Sequence, residues 1–332
     1  MVAHPGIPAA RVGYVVRRQW VVDVTTVDPL PMPARSRPPR WHWVLGDDDG
    51  PRWFATVHSV SSPEARAARL AAFEASAQVG QSCGWAVTPV HTRDARVAVD
   101  VLPGLLLSLT PYLEGVAAPV PADDSDRCEV ASVAGELHGH VRPRALPRWE
   151  PGVGDPAGTA RADLERCLDL EVWDGGPWSG PAGQLVAEAA PVVRQGLRRL
   201  ALLGAAVRGS VDRWVVTHGE LDGGHLLHTP DGVRVVGWGS LALAPRERDL
   251  LEALVPAEGS EPWFAYLEAG GTADPLSIDT VRVFALQRHL SAVAADAVAL
   301  SGPHGDTEDE RDRFAGLERG LASLQAVLET GG

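Results

Sequence analysis

The chain has 332 residues, of which 45% are apolar and 22% charged, and a formal net charge of -13. That length allows two lobes with packed cores, while the acidic balance argues against a nucleic-acid partner or an anionic membrane surface, both of which need a basic face. All 30 Lys+Arg residues are Arg, and neither Lys nor Asn occurs anywhere, a pattern that suits a GC-rich genome. No site can therefore use an ammonium point charge or an Asn carboxamide.

Read in chain order, the apolar stretch Val15–Val24 precedes a Pro- and Arg-dense segment from Pro31 to Arg40, which reads as a loop between two strands. Trp41–Leu45 and Arg52–Val57 read as strands around a Gly46–Pro51 turn whose Asp-rich tip is solvated rather than calcium-binding. Ser62, Pro63 and Glu64 then give the start of a helix that runs to Ala77. Short alternating runs at Trp85–Pro89, Val97–Leu102 and Leu105–Pro111 predict further antiparallel strands. Beyond Glu114, helical periodicity is expected over Val130–His140, Ala160–Leu170, Gln184–Leu203 and Val281–Leu300, with loops at Pro143–Pro156 and Trp173–Pro181.

The expected organisation is a small β-rich lobe over 1–113 and a larger helical lobe over 114–332. Cys83, Cys128 and Cys167 are odd in number and widely spaced, which fits reduced thiols. No secretory leader pattern opens the sequence and no apolar run of about 18 residues stands out, so a cytoplasmic location and no membrane contact are expected. The tryptophans, among them Trp41, Trp43, Trp53, Trp173, Trp178 and Trp238, read as core or packing residues.

One strand–loop–strand segment interrupts the helical half, running from Trp214 to Leu250 through His218-Gly219-Glu220, Asp222, His225, His228, Gly237-Trp238-Gly239 and Pro245-Arg246-Glu247-Arg248-Asp249. This segment resembles the phosphotransferase signature His-Gly-Asp-x-x-x-x-Asn, followed by Ile-Asp-Trp/Phe-Asp/Gly and then Ala-Pro-x-Glu-Arg-Asp-Leu. Together with Trp41-His42-Trp43, Arg52-Trp53-Phe54-Ala55-Thr56-Val57, Gly175-Gly176-Pro177-Trp178, Gly302-Pro303-His304 and Asp306, it resembles the spectinomycin-phosphotransferase-like branch of the aminoglycoside phosphotransferase family over nearly the whole chain. The resemblance implies an α+β, bilobal, protein-kinase-like fold. It also implies a setting in antibiotic resistance or natural-product biosynthesis, including phosphorylation of peptide hydroxyls.

Residue by residue, the resemblance retains what supports the loop and loses what does chemistry. The phosphate-covering loop should be rich in Gly, yet residues 31–39 contain none and four Pro, each without an N–H. Thr56 stands at the position of the ATP-binding Lys. Glu220 stands where the family has its catalytic Asp, His225 where it has the metal-binding Asn, and Gly237 where it has the second metal-binding Asp. Magnesium prefers hard oxygen ligands, which neither an imidazole nor a glycine offers. His218, Gly219, Trp238, Pro245, Glu247, Arg248 and Asp249 keep their supporting identities, with His218 bracing the loop.

Two functional expectations follow. In one, the chain has lost ordinary ATP/Mg-dependent kinase activity, needs no cofactor, and binds a small molecule in an inter-lobe cleft or a partner protein or peptide, including an active enzyme that it stabilises. In the other, an atypical phosphotransferase acts on an alcohol group with ATP or GTP and Mg²⁺, Glu220 serving as base, Asp222 or Glu220 holding metal, and Arg35, Arg37 or Arg40 replacing the Lys. His218, Glu220, Asp222, His225 and His228 match no familiar metal-ligand spacing. No Gly-x-Ser-x-Gly elbow is present, and Gly237-Trp238-Gly239-Ser240 lacks its final Gly.

Overall fold

A computed structural model describes residues 7–30, 40–60, 62–117, 123–150, 159–221, 224–251 and 259–330. The elements are α1 (Ala9–Gln19), β1 (Thr26–Pro29), β2 (Arg40–Asp47), β3 (Gly50–Ser59), α2 (Pro63–Gly80), β4 (Ala98–Leu102), β5 (Leu105–Pro111), β6 (Val116–Ala117) and α3 (Asp124–Gly139). They continue with α4 (Thr159–Leu168), α5 (Ser179–Arg208), β7 (Val215–Thr217), β8 (Leu226–Thr229), β9 (Gly232–Val235) and β10 (Ala242–Ala244). The last are α6 (Glu247–Leu250), α7 (Glu261–Glu268), α8 (Ile278–Ser301) and α9 (Glu308–Glu329). Packing divides the chain into two compact units, residues 1–149 with 213–275 and residues 150–212 with 276–332. The first therefore gathers the sheet expected over 1–113 together with the 214–250 segment.

In the first unit, β1-β2-β3-β5-β4 form an antiparallel sheet. One face carries Trp41, Trp43, Leu45, Ala55, Val57, Leu107 and Leu109, all buried against Val12, Val15, Val16 and Trp20 of α1. This corrects the strand expected near Val15–Val24. Apolar side chains at 12, 15, 16 and 20 recur with helical spacing, while Arg11, Arg17 and Arg18 stay outside the core. The other face pairs Arg40 with His58, His42 with Thr56 and Thr56 with Ser108. Its polar row looks the opposite way because side chains alternate along a strand.

Helix α2 begins where Ser62 accepts a hydrogen bond from the Ala65 N–H, with Pro63 in the first turn. The Trp85–Pro89 strand is not formed; Ala86 makes an isolated parallel bridge to Val235, because Pro89 and the turn at 83–86 end pairing early. Strands β6, β8 and β9 form a small sheet, and β7 pairs with β10. Helix α3 packs on α7, which like α9 was not anticipated from periodicity.

The second unit is helical, with α8 packed against α4, α5 and α9. Helix α8 has the length and mean apolarity of a membrane-crossing helix over an 18-residue window, half of it buried, a property missed in the sequence. Its buried Asp296 faces Arg313 of α9 at 3.6 Å. The two Gly-Pro words meet here. The His304 N–H donates to Gly175 O at 3.1 Å, the Trp178 N–H donates to His304 Nε2 at 3.1 Å, and the Trp178 indole donates to Asp306 at 3.1 Å. A Cβ at Gly175 would overlap the Gly302 carbonyl, so the crossing requires glycine.

Candidate functional site

The 214–250 segment is held from below by a buried carboxylate. Asp249, on α6, accepts from the His218 N–H at 2.7 Å and the Gly219 N–H at 2.6 Å, so both oxygens brace the turn. His138 of α3 places Nε2 at 3.3 Å from the same carboxylate, and its Nδ1 lies 3.0 Å from the Tyr266 hydroxyl. Burial would raise the Asp249 carboxyl, but the hydrogen bond and charge of His138, with His218 and Arg248, hold it low. Gly219 takes φ +88, and a Cβ there would overlap the Arg248 guanidinium. Arg248 in turn donates to Thr217 Oγ1 at 3.1 Å and Ser240 O at 2.9 Å. These supporting residues are the ones the sequence retains.

His218 is fully buried, with Nε2 2.9 Å from Val236 O and its ring edge-on to Trp238. Burial, with the neighbouring His225, pushes its imidazole down to about 4. The ring is therefore neutral, held between the Val236 carbonyl and Trp238.

Above this floor the chemistry changes. Glu220 receives both bonds from one Arg40 nitrogen, 2.7 Å to Oε1 and 2.9 Å to Oε2, and His225 Nε2 lies 3.3 Å from Oε2. Burial alone would raise the Glu220 carboxyl, but Arg40, then His225 and Arg69, outweigh it and hold the group well below the usual carboxylate range. Gly237 adopts φ +82, and a Cβ at that position would run into the His225 ring. The imidazole thus fills the space that a carboxylate at 237 would need. His225 and Gly237 form one steric arrangement.

On the facing sheet, Thr56 Oγ1 lies 3.0 Å from His42 Nδ1. Burial, helped by the charge of Arg40 and by His225, pushes the His42 imidazole down to about 4. Two residues along β3, buried His58 places Nε2 3.1 Å from Ser108 Oγ; its imidazole is also held well below its ordinary value, by burial first and Arg69 second. Arg69, 3% exposed on α2, lies so close to Gly239 that any side chain there would collide with it.

Sequence reasoning had not singled out Arg69, His42 or His58. Arg69 shares a helical stripe with Ala65, Ala72 and Phe73, and a cation inside such a stripe is the signal that could have found it. The cross-strand pairs Arg40–His58 and His42–Thr56 depend on register and become visible only in the folded sheet.

The structure therefore brings together Arg40, Thr56, His218, Glu220, His225 and Gly237. Arg35, Arg37 and Asp222 lie outside the described residues. His228 turns elsewhere, toward Glu129 at 3.7 Å. Among the described residues, no group of three or more His, Cys, Asp or Glu side chains could hold a metal. The donor set does not fit a magnesium-bound nucleotide either. Among the described residues of the loop between His218 and His225, the carboxylate is Glu220, already engaged by a guanidinium, and His225 and Gly237 supply no hard oxygen.

Strand order, the loop braced by Asp249 and the helical unit define the fold of the aminoglycoside phosphotransferases and related kinases. Spectinomycin phosphotransferase APH(9)-Ia, solved with ADP and spectinomycin, matches 97% of this chain and 99% of its own with a TM-score of 0.68 at 12% identity. The choline kinase LicA from Streptococcus pneumoniae matches 94% of this chain and 98% of its own, with a TM-score of 0.53 at 13% identity. In sequence, Protein StrN of Streptomyces griseus is 26% identical over 285 residues, 80% of this chain and 81% of that protein. No protein-family model matches the chain.

Proposed function

We propose that this chain is a phosphotransferase-fold binding protein that has lost ordinary ATP- and magnesium-dependent kinase activity, a pseudokinase of the cytoplasm. The observation that carries this reading is the capture of Glu220 by Arg40, with His225 seated over Gly237. A general base needs a free lone pair within reach of a hydroxyl and a proton affinity near the working pH. Glu220 lacks that proton affinity, because Arg40 lies against both its oxygens and holds it ionised, well below the usual carboxylate range. Thr56 cannot supply the positive charge that the fold's Lys would bring to phosphates.

What remains is a polar cluster of unusual side chains on a supported scaffold, suited to holding a small molecule or a partner protein. The likeness to StrN of Streptomyces griseus and to a spectinomycin-modifying enzyme supports a setting in natural-product biosynthesis or resistance.

Thermal unfolding with millimolar ATP or GTP, with and without Mg²⁺ or Mn²⁺, tests the reading, since a ligand that binds only the native state raises the midpoint by mass action. An unchanged midpoint with every combination is the expected result. A metal-dependent rise that disappears in Glu220→Ala would sink it in favour of an atypical phosphotransferase that acts on an alcohol group with Glu220 as base.

A further inference from the structure

The first unit holds a recess built from other residues than those around Glu220. Its walls are the last turn of α2, the segment from Gly84 to His91, the two residues Pro111 and Leu113 at the exit of β5, and Arg234 of β9. The cavity measures about 440 Å³, inside the range of roughly 300–1,000 Å³ typical of small-molecule pockets. Val87, Val90 and Leu113 give it an apolar wall.

Its position follows from the main chain. The Val87 N–H donates to Val235 O at 2.9 Å, the Val235 N–H donates to Trp85 O at 2.8 Å, and the Val90 N–H donates to Leu109 O at 2.8 Å. Segment 85–90 is therefore strapped to β9 at one end and to β5 at the other, and the recess is preformed.

Arg234 is the cation in this wall. Its Nη1 donates to the carbonyls of Asp231 at 3.2 Å and Val233 at 3.1 Å, which orients the guanidinium. Among the described residues no carboxylate is paired with it, in a chain where most arginines near an acid have taken one. A half-buried, oriented guanidinium beside an apolar wall matches the chemistry of an organic monoanion, whose carboxylate a guanidinium can bind with two parallel hydrogen bonds.

We propose that this recess is a binding site for a small amphipathic carboxylate, its acid on Arg234 and its apolar body along Val87, Val90 and Leu113. The site stands independently of the state of Glu220.

The test is calorimetric titration of the full chain with octanoate, 3-phenylpropionate and indole-3-acetate, each beside its primary amide. At least one acid is expected to saturate with a Kd below about 1 mM, a modest affinity for one charged contact with partial apolar burial, and its amide to bind at least about tenfold more weakly. Arg234→Gln should weaken the acid by the same factor or more. Leu113→Asp, which sets a like charge in the apolar wall, should weaken the acid by at least the same factor while circular dichroism and the unfolding midpoint stay as in the parent. If Arg234→Gln fails to fold, the acid–amide ratio and Leu113→Asp decide alone. The proposal is overturned if no acid saturates, if acids and amides bind alike, or if Leu113→Asp leaves binding intact.

Discussion

Two layers of the same short segment, the floor made by Asp249 and the face made by Glu220, were built to different rules. In the floor, each polar atom answers a fixed backbone group: both Asp249 oxygens take N–H donors, and His138 and Tyr266 close the network behind them. On the face, polar atoms answer each other, as Arg40 does with Glu220 and His42 with its cross-strand neighbour Thr56. A floor of that kind specifies a backbone path, whereas a face of that kind leaves side chains engaged with one another. The difference teaches that bracing and surface chemistry can rest on separate residues of one short segment.

Acid should produce the largest effect and should act on both layers. His42 and His218 titrate near 4 in the folded protein against about 6.5 when unfolded, so between those values the unfolded chain binds protons that the folded one refuses. The associated stability is fully present above pH 6.5 and is lost as pH falls toward 4, by about 3 kcal/mol for each group. Burial of His58 acts in the same direction. Urea unfolding at pH 7, 5.5 and 4.5 should show the fall, and His42→Gln should remove its share; a flat profile would contradict the neutral, buried state assigned to these rings.

Removing the anchor comes next. Asp249→Ala leaves the His218 and Gly219 N–H groups and His138 without their acceptor, and loss of one member of such a buried network costs about 3–5 kcal/mol. Chemical denaturation should find that loss. A cost near that of an average surface substitution would mean that the floor does not hold the loop.

A third substitution asks whether a carboxylate can be accommodated at 237 on the face. Gly237→Asp alone puts a side chain at φ +82 and into the His225 ring, and should cost about 2 kcal/mol. Combining it with His225→Ala relieves the collision, so the double variant should be at least about 1 kcal/mol more stable than the sum of the two single changes predicts. Additive behaviour in that cycle would show that the two positions are not coupled.

How much of this could be read from the sequence divides along the same line. The floor was legible through the resemblance, because His218-Gly219 followed by Asp249 matches the family's signature. Thr56, Glu220, His225 and Gly237 were legible as single departures from that signature. Their meaning as a packed arrangement was not, because it depends on where the His225 ring points and on Gly237 having a left-handed backbone. Register placed His58 opposite Arg40, and helix α1 emerged where an apolar run of Val and Arg had looked like a strand. The short run fits either period, and only the core of Trp41, Trp43 and Leu107 selects the helical one.

The smallest effect sharpens the comparison most. The Arg40–Glu220 pair is partly exposed, with 15% and 25% of the two side chains accessible, so its contribution to stability should be at most about 1 kcal/mol and should shrink in salt. Arg40→Gln is therefore expected to unfold at nearly the parent midpoint at neutral pH. Its acid limb should differ. In the parent, the depressed Glu220 carboxyl contributes stability that is present above its unfolded value near 4.5 and is lost as pH falls below it. Without Arg40, the burial that opposes ionisation acts with less opposition, the folded carboxyl moves up toward the unfolded value, and this acid-linked loss becomes smaller. Carboxyl-resolved NMR titration of Glu220 in parent and variant measures that movement directly. An unmoved Glu220 would mean that Arg40 does not set its charge, and that His225 and Arg69 suffice to keep the old catalytic position ionised.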